Sequence, residues 1–252
     1  MASVTPPTHR PPTREGSEQG LAYLLWLPDD MNDGSSASRP GPSGGVPGIV
    51  IVHGAGSRKE NHADFARLAA AQGWAALAFD SRGHGASEGE MGPGAPDDAV
   101  RMAKLLAREP GVDPERVAMR GSSMGGFLAL HAAAISPEIA GVIAICPAGE
   151  DQLRRGLKRG ELEMRVGDLA GLRAWLAEHD LREAVEQVGP RPLIFLHAEG
   201  DDRIPHTWSE ELHSHAIGPR KLIVVPGGTH RSVQHDAEIQ SSALLWLERQ
   251  LG

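Results

Sequence analysis

At 252 residues, 40% of them apolar, the chain is long enough for one large α/β domain or two small ones. Its 25 basic and 33 acidic residues leave a net charge of −8, which argues against nucleic acid or an anionic membrane as partner, because no basic surplus exists to neutralise phosphates. The single cysteine, Cys146, excludes an internal disulfide and fits a reducing compartment.

In chain order, residues 1–19 are rich in Pro, Thr and charge, carry no apolar core of the signal-peptide kind, and are expected to form a flexible tail. No apolar run approaches the ~20 residues of a membrane span, so a cytoplasmic protein is expected. LAYLLWL (21–27) reads as a strand, and the Pro/Gly/Ser-rich stretch 28–48 as a mobile surface loop. Strand candidates and helical patterns then alternate. GIVIVHG (48–54) precedes a helical run over 63–73, and WAALAFD (74–80) precedes one over 96–109. RVAMRG (116–121) leads into a helix from Ser123 to Ile135. Three more strands follow, AGVIAICP (140–147), RPLIFLH (191–197) and KLIVVPG (221–227), with a closing amphipathic helix over 232–251. This alternation predicts an α/β fold: one domain over 20–252 with a mostly parallel sheet of about seven to eight strands, covered by helices on both faces. Residues 148–189 hold no strand candidate and predict a short helical cap. Within it Arg154, Arg155, Lys158 and Arg159 sit among acids and read as a solvated helix face.

Ligands of such sheets sit beyond the carboxyl ends of the strands, and the chemically capable residues fall there. Gly121-Ser122-Ser123-Met124-Gly125 fits G-x-S-x-G between a strand and a helix. A side chain at 121 or 125 would strike backbone in so sharp a turn, so both positions need glycine, and Ser123 would stand exposed as a nucleophile. A serine hydroxyl needs a base. His230, directly after the last strand in PGGTH, is the first choice, with His235 in reserve; His53 and His197 read as structural. The base needs an acid, and LHAEGDDRIP supplies two candidates, Asp201 and Asp202. Two backbone amides would stabilise the oxyanion of an acyl-transfer intermediate: Met124, next to the nucleophile, and Ala55 in HGAG (53–56). His206, His213 and His215 match no familiar metal spacing.

The order Ser123, Asp201/Asp202, His230, with HGAG upstream, is the triad order of α/β-hydrolases. On VIVHGAGS, LAFDSRGHGASEGE, VAMRGSSMGGFLAL, LIFLHAEGDDRIP and PGGTH, the chain resembles that superfamily across nearly all of 20–252. It looks most like small bacterial serine esterases of the dienelactone-hydrolase-like or prolyl-oligopeptidase-like branch. The resemblance implies an α/β-hydrolase fold, makes His84 a structural residue of the loop 80–89, and selects Asp201, three residues before Ile204-Pro205, as the acid. A serine at 123 argues against dienelactone hydrolase chemistry proper, and exclusion of large substrates by a propeller domain of the oligopeptidase kind is not expected. The expected activity is cleavage of small to medium carboxylic esters without metal or organic cofactor, by a monomer or homodimer. Pro147, Leu172 and Trp175 are expected in the pocket wall. Thioesterase, lactonase, perhydrolase and aminopeptidase activities use the same machinery; a ligand-binding protein on the same fold is the non-enzymatic alternative.

Overall fold

A computed structural model describes residues 10–32 and 44–252. In chain order the elements are β1 (Arg14–Glu18), β2 (Leu21–Trp26), α1 (Asp29–Asn32), β3 (Val46–Val52), α2 (Ala63–Ala71), β4 (Ala75–Phe79), α3 (Ala95–Ala107), β5 (Val112–Ser122), α4 (Met124–Ile135) and β6 (Val142–Ile145). They continue with α5 (Glu150–Arg159), α6 (Leu169–Glu178), α7 (Leu181–Val188), β7 (Leu193–Ala198), α8 (His206–His215), β8 (Arg220–Val225), α9 (Ser232–His235) and α10 (Ala237–Leu251). The strands form one eight-stranded sheet in the order β1-β2-β4-β3-β5-β6-β7-β8. β1–β2 and β2–β4 pair antiparallel, and every later pair is parallel.

The period-2 geometry of each strand divides its apolar residues between two cores. From β3, Val50 and Val52 join one core and Ile49 and Ile51 the other. In β7, Leu193 and Phe195 separate likewise from Ile194 and Leu196. α3, α4, α7 and α8 cover the first face, while α2 and α10 cover the second. The strands buried on both sides are the continuous apolar runs of the sequence, as parallel strands require. No helix among the described residues is long and apolar enough to cross a membrane.

Four sequence expectations change. Arg14–Glu18, expected in the flexible tail, pair with β2 as an edge strand; their polar, alternating pattern carries little apolar signal because only one face meets protein. Of the expected loop 28–48, Asp29–Asn32 form a helical turn and β3 begins at Val46, while residues 33–43 lie outside the described residues, as do 1–9 of the expected tail. The cap is smaller than 148–189. α7 buries Leu181, Val185 and Val188 and packs on α4 as the crossover helix into β7, so α5 and α6 alone form the cap. The closing helix is broken at Asp236, whose carboxylate accepts from the amides of Glu238 and Ile239 and starts α10 anew.

Candidate active site

β5 ends in a turn that holds Ser123 at φ 53°, ψ −120°, a conformation rarely adopted by a residue with a side chain. Surrounding backbone fixes it there. The Ser123 amide donates to the Ile145 carbonyl at 2.9 Å, and the Ser123 carbonyl accepts from the amides of Gly126 (2.9 Å), Ala148 (3.1 Å) and Phe127 (3.2 Å). A Cβ at Gly121 would press on the carbonyl of Gly125 and stand 2.8 Å from Gly126 Cα; one at Gly125 would press on Val52 and stand 2.6 Å from the His53 carbonyl oxygen. Both glycines are therefore sterically required. Gly54 is tight but less so, its missing Cβ lying 3.2 Å from the Ser122 carbonyl oxygen and 3.3 Å from Ser123 Cβ.

Asp201 follows β7 and His230 follows β8. His230 Nδ1 lies 2.7 Å from Asp201 Oδ2, and the carboxyl is fully buried. Its other oxygen accepts from the amides of Arg203 (2.9 Å) and Ile204 (3.0 Å), and His197 Nε2 stands 3.3 Å from Oδ2. Burial works to raise this carboxyl, but the hydrogen bonds from His197, His230 and the Ile204 amide prevail and hold it well below the usual carboxylate range. Asp202 is exposed at the cavity rim, and its carboxylate makes no hydrogen bond to His230. His235 also reaches the cavity, but its Nδ1 pairs with Asp64 Oδ2 at 2.7 Å.

Ser123, His230, Gly54 and Ala55 line one cavity of about 730 Å³ beneath α5. Ser123 Oγ and the His230 ring share its wall without a hydrogen bond between them. Met124, first residue of α4, has no carbonyl four residues back in the helix to receive its amide. Its side chain lines a smaller apolar slot of about 20 Å³ with Phe127, Leu172 and Trp175; Leu153 and Leu162 border both spaces. Pro147 does not line the cavity. It is buried against Gly126, 3.0 Å from where a Cβ there would lie, and its neighbour Ala148 takes the wall position.

Histidines read as structural hold the loops. His53 lies in hydrogen-bond contact with the Gly54 carbonyl through Nδ1 (2.8 Å) and accepts from the Ser81 amide at Nε2 (3.0 Å); burial pushes its pKa down to about 4. His84 accepts from the Gly56 amide at 3.3 Å. His197 bonds Ser209 Oγ at 2.7 Å. On α8, His215 pairs with Glu186 at 2.6 Å and His206 stands 3.9 Å from Glu210.

Two residues passed over in the sequence stand at the site. Arg120, one place before the turn, is fully buried. It donates to the Gln234 carbonyl at 2.8 Å and contacts His62 Nδ1 (3.0 Å) and Gln240 Oε1 (3.3 Å), tying the segment after His230 to β5. Burial lowers its pKa to about 10. Cys146, at φ 41°, places its thiol within 4.8 Å of both Asp201 and His230, and burial pushes that thiol up to about 12, so it stays protonated. Its place beyond β6, between the strands carrying Ser123 and Asp201, was the signal available for it.

The family model described as "Serine aminopeptidase, S33" matches residues 47–179. The match includes Ala55 and Ser123 and ends before Asp201 and His230. The uncharacterized protein YfhR of Escherichia coli O157:H7 is 25% identical over 192 residues, covering 72% of this chain and 62% of YfhR, so the match spans less than two thirds of that relative. Among solved structures, the α/β-hydrolase GrgF from Penicillium sp. sh18 superposes with a TM-score of 0.74 at 19% identity, covering 94% of this chain and 98% of GrgF. Est1E from Butyrivibrio proteoclasticus, with ferulic acid bound, gives a TM-score of 0.72 at 19% identity, covering 95% and 99%.

Proposed function

The chain belongs to the serine aminopeptidase S33 family of α/β-hydrolases, and from that premise we propose that it is a serine hydrolase that cleaves carboxylic esters through an acyl-enzyme. The observation that carries this reading is the buried Asp201–His230 pair, 2.7 Å apart, opening on the cavity whose wall holds the strained Ser123. His230 Nε2 takes the proton from Ser123 Oγ as that oxygen bonds to the ester carbonyl carbon. Asp201 accepts from Nδ1–H, keeping the ring in the tautomer with Nε2 free and stabilising the imidazolium that forms. The amides of Ala55 and Met124 receive the carbonyl oxygen as it becomes negative, each worth roughly 3 kcal/mol of the barrier. Collapse expels the alcohol with the proton from His230; water then attacks the acyl carbon, gives its proton to His230, and frees the acid and Ser123. That Ser123 and His230 make no direct hydrogen bond is compatible with this, since such contacts tighten in the substrate complex. The apolar slot beside Met124 is small, about 20 Å³, and favours short acyl chains.

A fluorophosphonate probe should label wild type and leave Ser123→Ala unlabelled. That variant should lose at least about 10⁴-fold in kcat for p-nitrophenyl acetate and butyrate, with little change in thermal unfolding. Undiminished labelling of Ser123→Ala would end the assignment. The family's description supports a second reading, removal of an N-terminal residue from a peptide; aminoacyl p-nitroanilides in the same panel separate the two.

A further inference from the structure

The cavity that holds Ser123 and His230 is ringed by arginines in a protein whose net charge is −8. Arg155 and Arg159 lie one turn apart on the cavity side of α5, Arg203 comes two residues after Asp201, and Arg231 follows His230. Against these four guanidiniums the lining holds two carboxylates, Glu161 and Asp202. Arg159 stands 3.8 Å from Glu161. Arg155, Arg203 and Arg231 have no carboxylate within ion-pair distance among the described residues, and none of the three guanidiniums is held by a hydrogen bond there. Elsewhere Arg82 and Arg101 meet Asp98, Arg154 meets Asp151, and Arg182 meets Asp180 and Glu211, while Arg67, Arg173 and Arg249, also without a carboxylate partner among the described residues, lie outside this cavity. Three separate segments thus bring unneutralised cations to one concave surface, where field lines concentrate and a counter-ion is drawn in.

We infer that the substrate is an ester whose alcohol portion bears a carboxylate, held at the mouth of the cavity by Arg155, Arg203 and Arg231. The inference rests on the ester-hydrolase reading for its reaction. The side of the ester follows from shape: the slot beside Met124 is apolar and about 20 Å³, which suits the acyl group, and the arginines line the larger space left for the alcohol. The same charges oppose an aminopeptidase substrate, whose α-ammonium would need carboxylates in their place. The Arg155–Arg159 face, read from sequence as a solvated helix surface, acquires this meaning only because α5 lies over the cavity.

The test compares 3-acetoxybenzoate with its neutral methyl ester, methyl 3-acetoxybenzoate, each rate normalised to its own hydroxide-catalysed hydrolysis. Wild type should favour the anion by about tenfold in kcat/KM at low ionic strength, and the preference should shrink as salt rises. Replacing both Arg155 and Arg231 by Gln should lower the ratio of anion to neutral ester by about three- to tenfold, given the usual worth of exposed ion pairs. Lys158→Gln removes the same charge from α5 without touching the cavity lining and should leave the ratio in place. A ratio at or below one in a wild-type enzyme that turns over the neutral ester through Ser123 would overturn this inference and leave the esterase reading standing. If neither ester is turned over, calorimetric affinity of Ser123→Ala for the two compounds decides the charge question independently: tighter binding of the anion, lost with Arg155 and Arg231, sustains it, and equal affinities refute it.

Discussion

Ser123 and Arg155 face one cavity, yet the fold holds them in opposite ways. Ser123 is gripped by main chain: one amide given, three received at its carbonyl, and two neighbouring glycines with no room for a methyl group. Arg155 projects from a cap helix, exposed and without an ion-pair partner among the described residues. The reacting geometry is built from buried backbone at strand ends, where a displacement costs packing on both sides of the sheet. The charge that selects a substrate is laid over it by exposed side chains on α5 and on the loops after β7 and β8, where replacement leaves the core untouched.

This contrast can be tested in order of expected effect. At the strand ends, Asp201→Asn should reduce kcat by about 10³- to 10⁴-fold, because the altered group favours the wrong tautomer of His230. Asp202→Asn should cost far less; the reverse ranking would transfer the acid role to Asp202. Gly125→Ala should destabilise by at least about 3 kcal/mol, since the added carbon meets the carbonyls of Val52 and His53 and neither can retreat from the sheet. In a chain of this size that is a fall in Tm of about 10 °C, and a fall under ~2 °C would show that the turn is more pliant than the contrast allows.

The junction of the two regions responds to acid. His131 on α4 lies 4.3 Å from Phe127 and 5.8 Å from Trp175 of the cap, ring centre to ring centre, and its Nε2 is buried without a partner. Burial, with His179 nearby, lowers its pKa to about 4. The fold therefore prefers the neutral ring; the stability this represents is fully present above the unfolded value near 6.5 and is lost as pH falls from there toward 4. His53, at about 4, acts in the same direction. His131→Phe should reduce the stability lost between pH 7.5 and 5 by about 2 kcal/mol, measured as a smaller difference in denaturation midpoints; an unchanged difference would refute it. The smallest effect belongs to the cap surface. Arg155→Gln should alter stability by no more than about 0.5 kcal/mol, and a larger loss would mean that this arginine supports the fold.

Legibility in the sequence followed the range of the interactions concerned. The G-x-S-x-G turn was readable because collisions within five residues demand its glycines, and the strands because their apolar runs must fill both faces of a parallel sheet. The acid was less plain: Asp201 and Asp202 are adjacent and chemically equal, so local chemistry left both open and the resemblance alone selected Asp201; the buried donors from His197, Ile204 and His230 give its physical distinction. Pro147 was misplaced by one residue because its packing on Gly126 depends on how β6 hands over to α5. β1 was missed because an edge strand with one solvent face leaves little apolar pattern. Arg120 looked like a strand residue, since its partners lie 58 and more than 100 positions away.

By itself the sequence determined a parallel sheet, a sharp turn exposing Ser123, and a histidine beyond the last strand, because backbone sterics and hydrophobic period act over a few residues. Only the tertiary structure decided that Asp201 is buried among its donors, that Cys146 lies beside the Asp201–His230 pair, and that Arg155, Arg159, Arg203 and Arg231 ring one cavity. Those are encounters between segments distant along the chain, and a side chain's charge acquires a partner or a ligand only after folding decides what stands opposite it.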